Sequence, residues 1–443
     1  MKSDIFGRTL LLALMVAISA CSYDSMIGIS PRPIPPIVKA TVDPVPQPVV
    51  KPEAENPGPA RQQLPQDVPV APTVEEQPQV PAAAPPITKP AAPVVAPLNE
   101  RVANLSATPD REYRNETVQE DTVWHGEVHV NGWLTVPPQV TLTIEAGTIV
   151  RFIPSGDGDS ATSGLLVQGR LVAAGAPDKQ ILLTGSYAQP AAGDWQGIVF
   201  LASEKKNLLD QCRVEGARVG LDVFHSQIAL RELSLSASGT AIRLQDSDAN
   251  IAGGVISSCD IAVKSAESEL DLRDINISSN RNGIMVGGGA FYLTGATFYG
   301  NSSAALVAEN CKLKVTGCSF TVNGTGVVLT GSEGAVSFNR MLSNREAGVN
   351  LTNSRIRING NNISQNGATG LKISGAGSVV WGNVIAANNG HDLEYSGDED
   401  LSVMGNWWGD ITPDRILSRI HRGDSSGRVL FMPVLPQRPQ AVL

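Results

Sequence analysis

The stretch NGATGLKIS, Asn366 to Ser374, has close counterparts along the chain: NGTGVVLTG from Asn323, NREAGVNLT from Asn344 and NNGHDLEYS from Asn388. Each is an asparagine, a short turn, and a pair of apolar residues separated by one position. Residues two apart project to the same side of a strand, so each pair marks one buried strand face. The first members of these pairs are Ile198, Leu221, Ile242, Ile261, Ile284, Leu306, Val327, Val349, Leu371 and Leu393, spaced 19 to 23 residues apart. A second apolar series runs Leu270/Leu272, Phe291/Leu293, Leu313/Val315, Val336/Phe338, Ile356/Ile358 and Leu401/Val403. A third, shorter one carries Ile277, Phe298, Phe320, Met341, Ile363 and Ile385. Three inward-facing strands in about 22 residues make one coil of a solenoid.

The asparagines follow the same period. Asn280, Asn301, Asn323, Asn344, Asn366 and Asn388 stand 21 or 22 residues apart, and a shorter series runs Asn339, Asn361, Asn383 and Asn406. Identical amides stacked one strand spacing apart, about 4.8 Å, donate to one neighbour and accept from the other. Asparagine also tolerates the left-handed conformation of a sharp turn. The asparagines are therefore expected to be structural.

With these residues in view, the chain resembles the right-handed parallel β-helix proteins of the pectate-lyase-like superfamily, and more narrowly the exported bacterial β-helix repeat proteins. The matching segments are TVPPQVTLTIEAGTIVRF (Thr135 to Phe152), GLLVQGRLVAAG (Gly164 to Gly175), DWQGIVF (Asp194 to Phe200) and GNWWGD (Gly405 to Asp410). The resemblance implies an all-β, single-stranded, right-handed parallel β-helix over residues 115–406. It implies no one activity, because this fold hosts lyases, hydrolases, epimerases and adhesins. A solenoid must cover its end coils. Trp124 with VWHGEVHV begins one cover. Residues 407–443 supply the other, where Trp407 and Trp408 precede a short helix with Thr412 as N-cap and Pro413 in its first turn.

The N-terminal part reads differently. Lys2 and Arg8 precede an apolar run, Thr9 to Ile18, and ISAC ends at Cys21. This is an export signal of residues 1–20, and its last four residues resemble a bacterial lipobox, which implies acylation of Cys21 and an outer-membrane address. Residues 31–100 hold 20 of the chain's 30 prolines. Residues 21–114 are accordingly expected to form a disordered, extended tether.

Formal net charge is −9 and the sequence pI is about 5.2, which excludes nucleic acid as a partner and makes polyanions poor first guesses. No catalytic residue emerges. Between the paired apolar residues of the first series, the outward positions read Asp222, Arg243, Ala262, Met285, Val307, Val328, Asn350, Lys372 and Glu394, with no adjacent carboxylates. Arg355-Ile356-Arg357 resembles the basic tripeptide of polygalacturonases, but the companion motifs are absent, and Gly390-His391-Asp392 echoes only part of another. His125 and His129 lie too far apart on one strand to share an ion through Glu127. Asp157-Gly158-Asp159 and Asp398-Glu399-Asp400 are loop carboxylates that solvation accounts for. Nothing asks for a metal or cofactor. Cys212, Cys259, Cys311 and Cys318 allow three pairings; Cys311 and Cys318, on different strands, read as buried thiols.

The candidate binding feature is an apolar strip of Ala262, Met285, Val307 and Val328 across four coils. The expected protein is a monomeric, lipid-anchored envelope module, periplasmic or surface-exposed, that binds a protein or polysaccharide. A polysaccharide-modifying enzyme and an accessory factor for envelope protein assembly stay open as alternatives.

Overall fold

The computed structural model describes residues 101–106, 108–155, 162–203, 205–423 and 426–440. The export signal, Cys21, the expected tether up to residue 100 and Asp157-Gly158-Asp159 lie outside the described residues; the end of that segment is not a free tether, since Arg101 pairs with Asp194 and Asn104 N–H donates to the Ser186 carbonyl at 2.8 Å. What is described is a right-handed parallel solenoid of about 12 turns, with three stacks of parallel strands running its length. The first sheet passes through 261–266, 282–287, 304–309 and 325–330. The second passes through 248–252, 269–273, 290–294 and 312–316, and the third through 276–278, 297–299 and 319–321. The strand Arg111–Thr117 already pairs with 128–135, so β structure starts ahead of residue 115.

Each sheet buries one side. Leu306, Leu313 and Phe320, one from each sheet of a single coil, are at most 5% exposed, and the six residues of the third apolar series are all fully buried. Removing each such side chain from water is worth about 1.5–3 kcal/mol, and stacking coils merges these contributions into one core.

At each corner the chain makes the same two-residue device. One residue takes a left-handed conformation, and the next turns a polar side chain into the corner. Ser343 (φ 55°) precedes Asn344, and Gln365 (φ 59°) precedes Asn366. The left-handed position therefore belongs to the residue before the asparagine. Asn344 Nδ2 donates to Asn366 Oδ1 at 3.0 Å and to the Phe320 carbonyl at 3.0 Å, while its Oδ1 accepts from Asn323 Nδ2 at 3.2 Å. The second asparagine ladder follows the same rule, with Asn361 donating to Asn383 at 2.9 Å. A third ladder fills the remaining corner with hydroxyls: Ser226 N–H donates to Ser247 Oγ at 3.2 Å, Ser247 N–H to Ser268 Oγ at 3.1 Å, and Ser332 N–H to Ser354 Oγ at 3.2 Å.

Two sequence expectations change. In the coil at 261–266 the inward pair is Val263 and Ser265, because Val263 pairs with Ile242 and Ile284. Ser265 is a buried serine where other coils have an apolar residue, which made Ile261 and Val263 look like the pair. The apparent spacings of 19 and 23 thus become a uniform 21. In the second sheet Gly334, not Phe338, completes the pair with Val336: Gly334 lies against Leu313, and Phe338 (φ 58°) is 57% exposed at a corner.

Both ends are closed. Trp124 is fully buried and donates to the Tyr113 hydroxyl at 3.1 Å. At the other end Asp392 Oδ1 accepts from Asn388 Nδ2 at 2.9 Å, terminating the long ladder, and Arg419 pairs with Asp392 at 3.1 Å. The short helix α1 (Pro413–Leu417) buries Ile416 and has Thr412 before it, without a side-chain capping bond.

Candidate functional site

The corrected register moves the predicted strip. Ala262 is fully buried and belongs to a row of small residues, Ala241, Ala262, Gly283, Ala305, Gly326 and Gly348, that pack over the asparagine corner. A Cβ at Gly326 would run into the Gly348 carbonyl of the next coil before it met Asn344 Nδ2 at 3.2 Å, which explains why that position stays glycine. The outward residue of that coil is Lys264, in line with Arg243 and Met285. Met285, Val307 and Val328 do stack on three successive coils, each half-buried, and Asn350 follows. The apolar row therefore spans about 10 Å at one strand spacing per coil. On one flank Arg243 Nε donates to Asp222 at 2.6 Å, and on the other Lys372 pairs with Glu394 at 3.2 Å.

The outward side of the second sheet is a different surface, and its composition was not read from the sequence. Its central row runs Asn250, Asp271, Tyr292, Lys314, Ala335, Arg357 and Val379. The row beside it runs Asp248, Glu269, Ala290, Lys312, Glu333 and Arg355. Tyr292 is 43% exposed and stands between two depressions. One, of about 380 Å³, is floored by Gly334 and edged by Lys312, Arg355 and Arg357. The other, of about 480 Å³, is edged by Asp248, Glu269, Asp271 and Lys314. Ala335, the outward residue between Lys314 and Arg357, supplies almost no side chain, so that coil is recessed.

The charges there are unevenly matched. Arg273 engages Asp271 through two hydrogen bonds, of 3.1 and 2.6 Å, and Lys312 reaches Glu333 only at 3.9 Å. Among the described residues, Lys314, Arg355 and Arg357 have no carboxylate partner. Arg355 and Arg357 are the arginines of the tripeptide singled out in the sequence, and they share the outward side of one strand. Three uncompensated cations beside an exposed phenol ring can donate hydrogen bonds to carboxylate oxygens and pack against a flat face. The chain's net negative charge does not cancel this, since at physiological salt charges beyond about 8 Å are largely screened.

The other sequence candidates have structural employment. His129 Nε2 lies 3.0 Å from Glu127 Oε1, which also accepts from Arg151 Nε at 3.1 Å, while Glu127 Oε2 accepts from the Ser106 hydroxyl. Burial raises the Glu127 pKa, but the hydrogen bonds from Ser106 and His129 and the Arg151 charge outweigh it and hold the carboxyl at about 2. Asp400 pairs with Arg428, and Asp398 accepts from Ser426 at 3.1 Å, within the C-terminal cap. His391 stacks on His421 with ring centroids 4.9 Å apart. Among the described residues no cluster of three or more His, Cys, Asp or Glu is placed to hold a metal ion. The four thiols are free and buried. Three of them occupy ladder positions: Cys259 and Cys318 precede Asn280 and Asn339, and Cys311 precedes Ser332. Burial pushes Cys212 up to about 12 and Cys259 and Cys318 to about 11.

Residues 261–407 match the family model described as the right handed beta helix region. The fold defines the class, a right-handed parallel β-helix, and the match falls on its later coils. No curated protein matches the chain in sequence. Among solved structures, the A-module of the Azotobacter vinelandii mannuronan C-5 epimerase AlgE6 is 14% identical, over 71% of this chain and 91% of its own, with a TM-score of 0.32. The periplasmic alginate epimerase AlgG is 13% identical over 69% and 77%, with a TM-score of 0.27. Tailspike protein 3 of bacteriophage CBA120 is 11% identical over 71% and 57%, with a TM-score of 0.24.

Proposed function

We propose that this chain is a lipid-anchored binding module of the bacterial cell envelope, held through Cys21 and carried on its proline-rich tether, whose docking surface is the second-sheet face around Tyr292. The partner is an extended polysaccharide bearing carboxylates. The observation that carries the reading is the trio Lys314, Arg355 and Arg357, unpaired among the described residues, around the recess at Gly334. Carboxylates spaced along a chain satisfy those cations, and a sugar face packs on Tyr292. Parallel strands repeat the surface at a fixed interval of about 4.8 Å, which suits a repeating polymer better than a compact one.

The test is affinity electrophoresis and calorimetry of the full chain with polygalacturonate and with the same polymer methyl-esterified. Binding is expected to the acid form only, to weaken with salt, and to fall at least tenfold in Arg355→Gln/Arg357→Gln. Equal binding to both forms, or no change in the double variant, removes the reading. Shortened or unsaturated products in the same mixtures would make the protein an enzyme instead.

A further inference from the structure

At the C-terminal end the outward side of the third sheet does not open to solvent. The strands Arg340–Leu342, Asn362–Ser364 and Val384–Ala386 face the segment from Trp407 to Asp410 and the helix α1, and a cleft of about 700 Å³ lies between them. This volume is within the usual range for small-molecule sites, about 300–1,000 Å³. Its lining is rich in guanidinium groups. Arg340, Arg415, Arg419 and Arg438 all border it, against only two carboxylates, Asp392 and Asp410. Both carboxylates are engaged, Asp410 with Arg415 at 3.0 Å and Asp392 with Arg419 at 3.1 Å. Among the described residues Arg438 has no carboxylate partner, so the cleft keeps its guanidinium charge uncompensated.

Two tryptophans complete it. Trp407 forms part of the wall, and the Arg438 guanidinium lies over its ring, 5.9 Å from the centroid. That contact holds a cation beside an aromatic face. Trp408 also borders the cleft and is 4% exposed, and its indole N–H has no acceptor among the described residues. A buried donor left without an acceptor is costly, by about 1–3 kcal/mol. The sequence suggested sealing of the core for this pair. Trp408 does that, while Trp407 has a second face available.

We infer that this cleft is a binding site for a small oxyanion-bearing ligand, a carboxylate or a phosphate ester, carried on a ring-sized body. The Arg438 guanidinium receives the oxyanion and the ring packs against Trp407. None of these residues belongs to the second-sheet face, so this site stands or falls independently of the polysaccharide reading.

The experiment is calorimetry and ligand-observed NMR on the full chain with benzoate, phenyl phosphate, inorganic phosphate and benzyl alcohol as probes. Saturable binding is expected for benzoate or phenyl phosphate, the stronger of the two naming the head group, and none for benzyl alcohol. Arg438→Gln should weaken that binding about tenfold, since a charge-assisted hydrogen bond contributes about 1.5–3 kcal/mol, while melting stays unchanged. Trp407→Leu should weaken the ring-bearing probes without affecting inorganic phosphate. The inference is overturned if neither anion saturates, if benzyl alcohol binds equally well, if inorganic phosphate matches phenyl phosphate, or if Arg438→Gln binds as the parent does.

Discussion

The coils from about residue 276 onward and those before about residue 260 share one fold and are held together by different means. In the later coils each corner repeats: asparagine to asparagine, at 2.9–3.2 Å, from Asn280 to Asn388 and again from Asn339 to Asn406. In the earlier coils one corner repeats through hydroxyls, from Ser203 to Ser226 and Ser247, and the others are solved singly. Thr148 Oγ1 donates to the Glu145 carbonyl at 2.7 Å, Asn207 Nδ2 to Ser203 Oγ at 3.0 Å, and Trp195 Nε1 to the Glu215 carbonyl at 2.8 Å while its ring stacks on Phe152 at 4.0 Å. The family match, which covers 261–407, follows the repeating part. Repetition spreads the polar satisfaction of the backbone over many equivalent amides, whereas single solutions concentrate it in a few irreplaceable residues.

The largest effect is therefore expected in the early coils. Trp195→Ala removes a 1% exposed ring and its hydrogen bond, and should cost about 3–5 kcal/mol in chemical denaturation. A loss below about 1 kcal/mol would mean that this region does not depend on single anchors.

Asn344→Leu comes next. It strands the amides of Asn323 and Asn366 and the Phe320 carbonyl, and at about 1–3 kcal/mol for a stranded buried group it should destabilise by about 2–4 kcal/mol. Hydrogen exchange should rise at the neighbouring coils and stay unchanged before residue 260.

Ser332→Ala should cost about 1–2 kcal/mol, because the lost hydroxyl accepts from the Cys311 N–H at 3.1 Å and donates to the Thr330 carbonyl at 3.0 Å, at about 0.5–1.5 kcal/mol per bond. Comparison with Asn344→Leu ranks the two ladder types.

The smallest effect is a pH dependence confined to the first coils. Glu127 has its folded pKa depressed to about 2, so its contribution is fully present above about pH 4.5 and is lost as pH falls toward 2. Ser106, which bonds Glu127, should gain exchange in that window, and Glu127→Gln should remove the dependence.

Much of this was legible in the sequence because burial and ladder formation both impose a period. Asn280 through Asn388 and the third apolar series announce coil length and corner position directly. The serine ladder was not legible, since Ser226, Ser247 and Ser332 look like any surface serine until the register places them at one corner. Ser265 and Gly334 misled for a related reason: each puts an atypical residue at an inward position, so a neighbouring apolar residue was taken in its place. The second-sheet face escaped notice because outward positions carry no periodic constraint. Arg355 and Arg357 were noticed as a motif, but the proximity of Arg357 to Lys314 and Tyr292, 43 and 65 residues earlier, depends on their strands lying two and three coils away. The cleft depends on the cap folding back beside the third sheet, which no local pattern reveals.

The measurement that tests the account most directly is hydrogen exchange of the full chain with and without oligogalacturonate. The repeating coils should exchange slowly in the free protein, and the ligand should add protection at Ala290–Thr294, Lys312–Thr316, Glu333–Ser337 and Arg355–Asn359, leaving the first-sheet row at Met285, Val307 and Val328 unaltered. Protection along that first-sheet row, or none anywhere under saturating ligand, would contradict it.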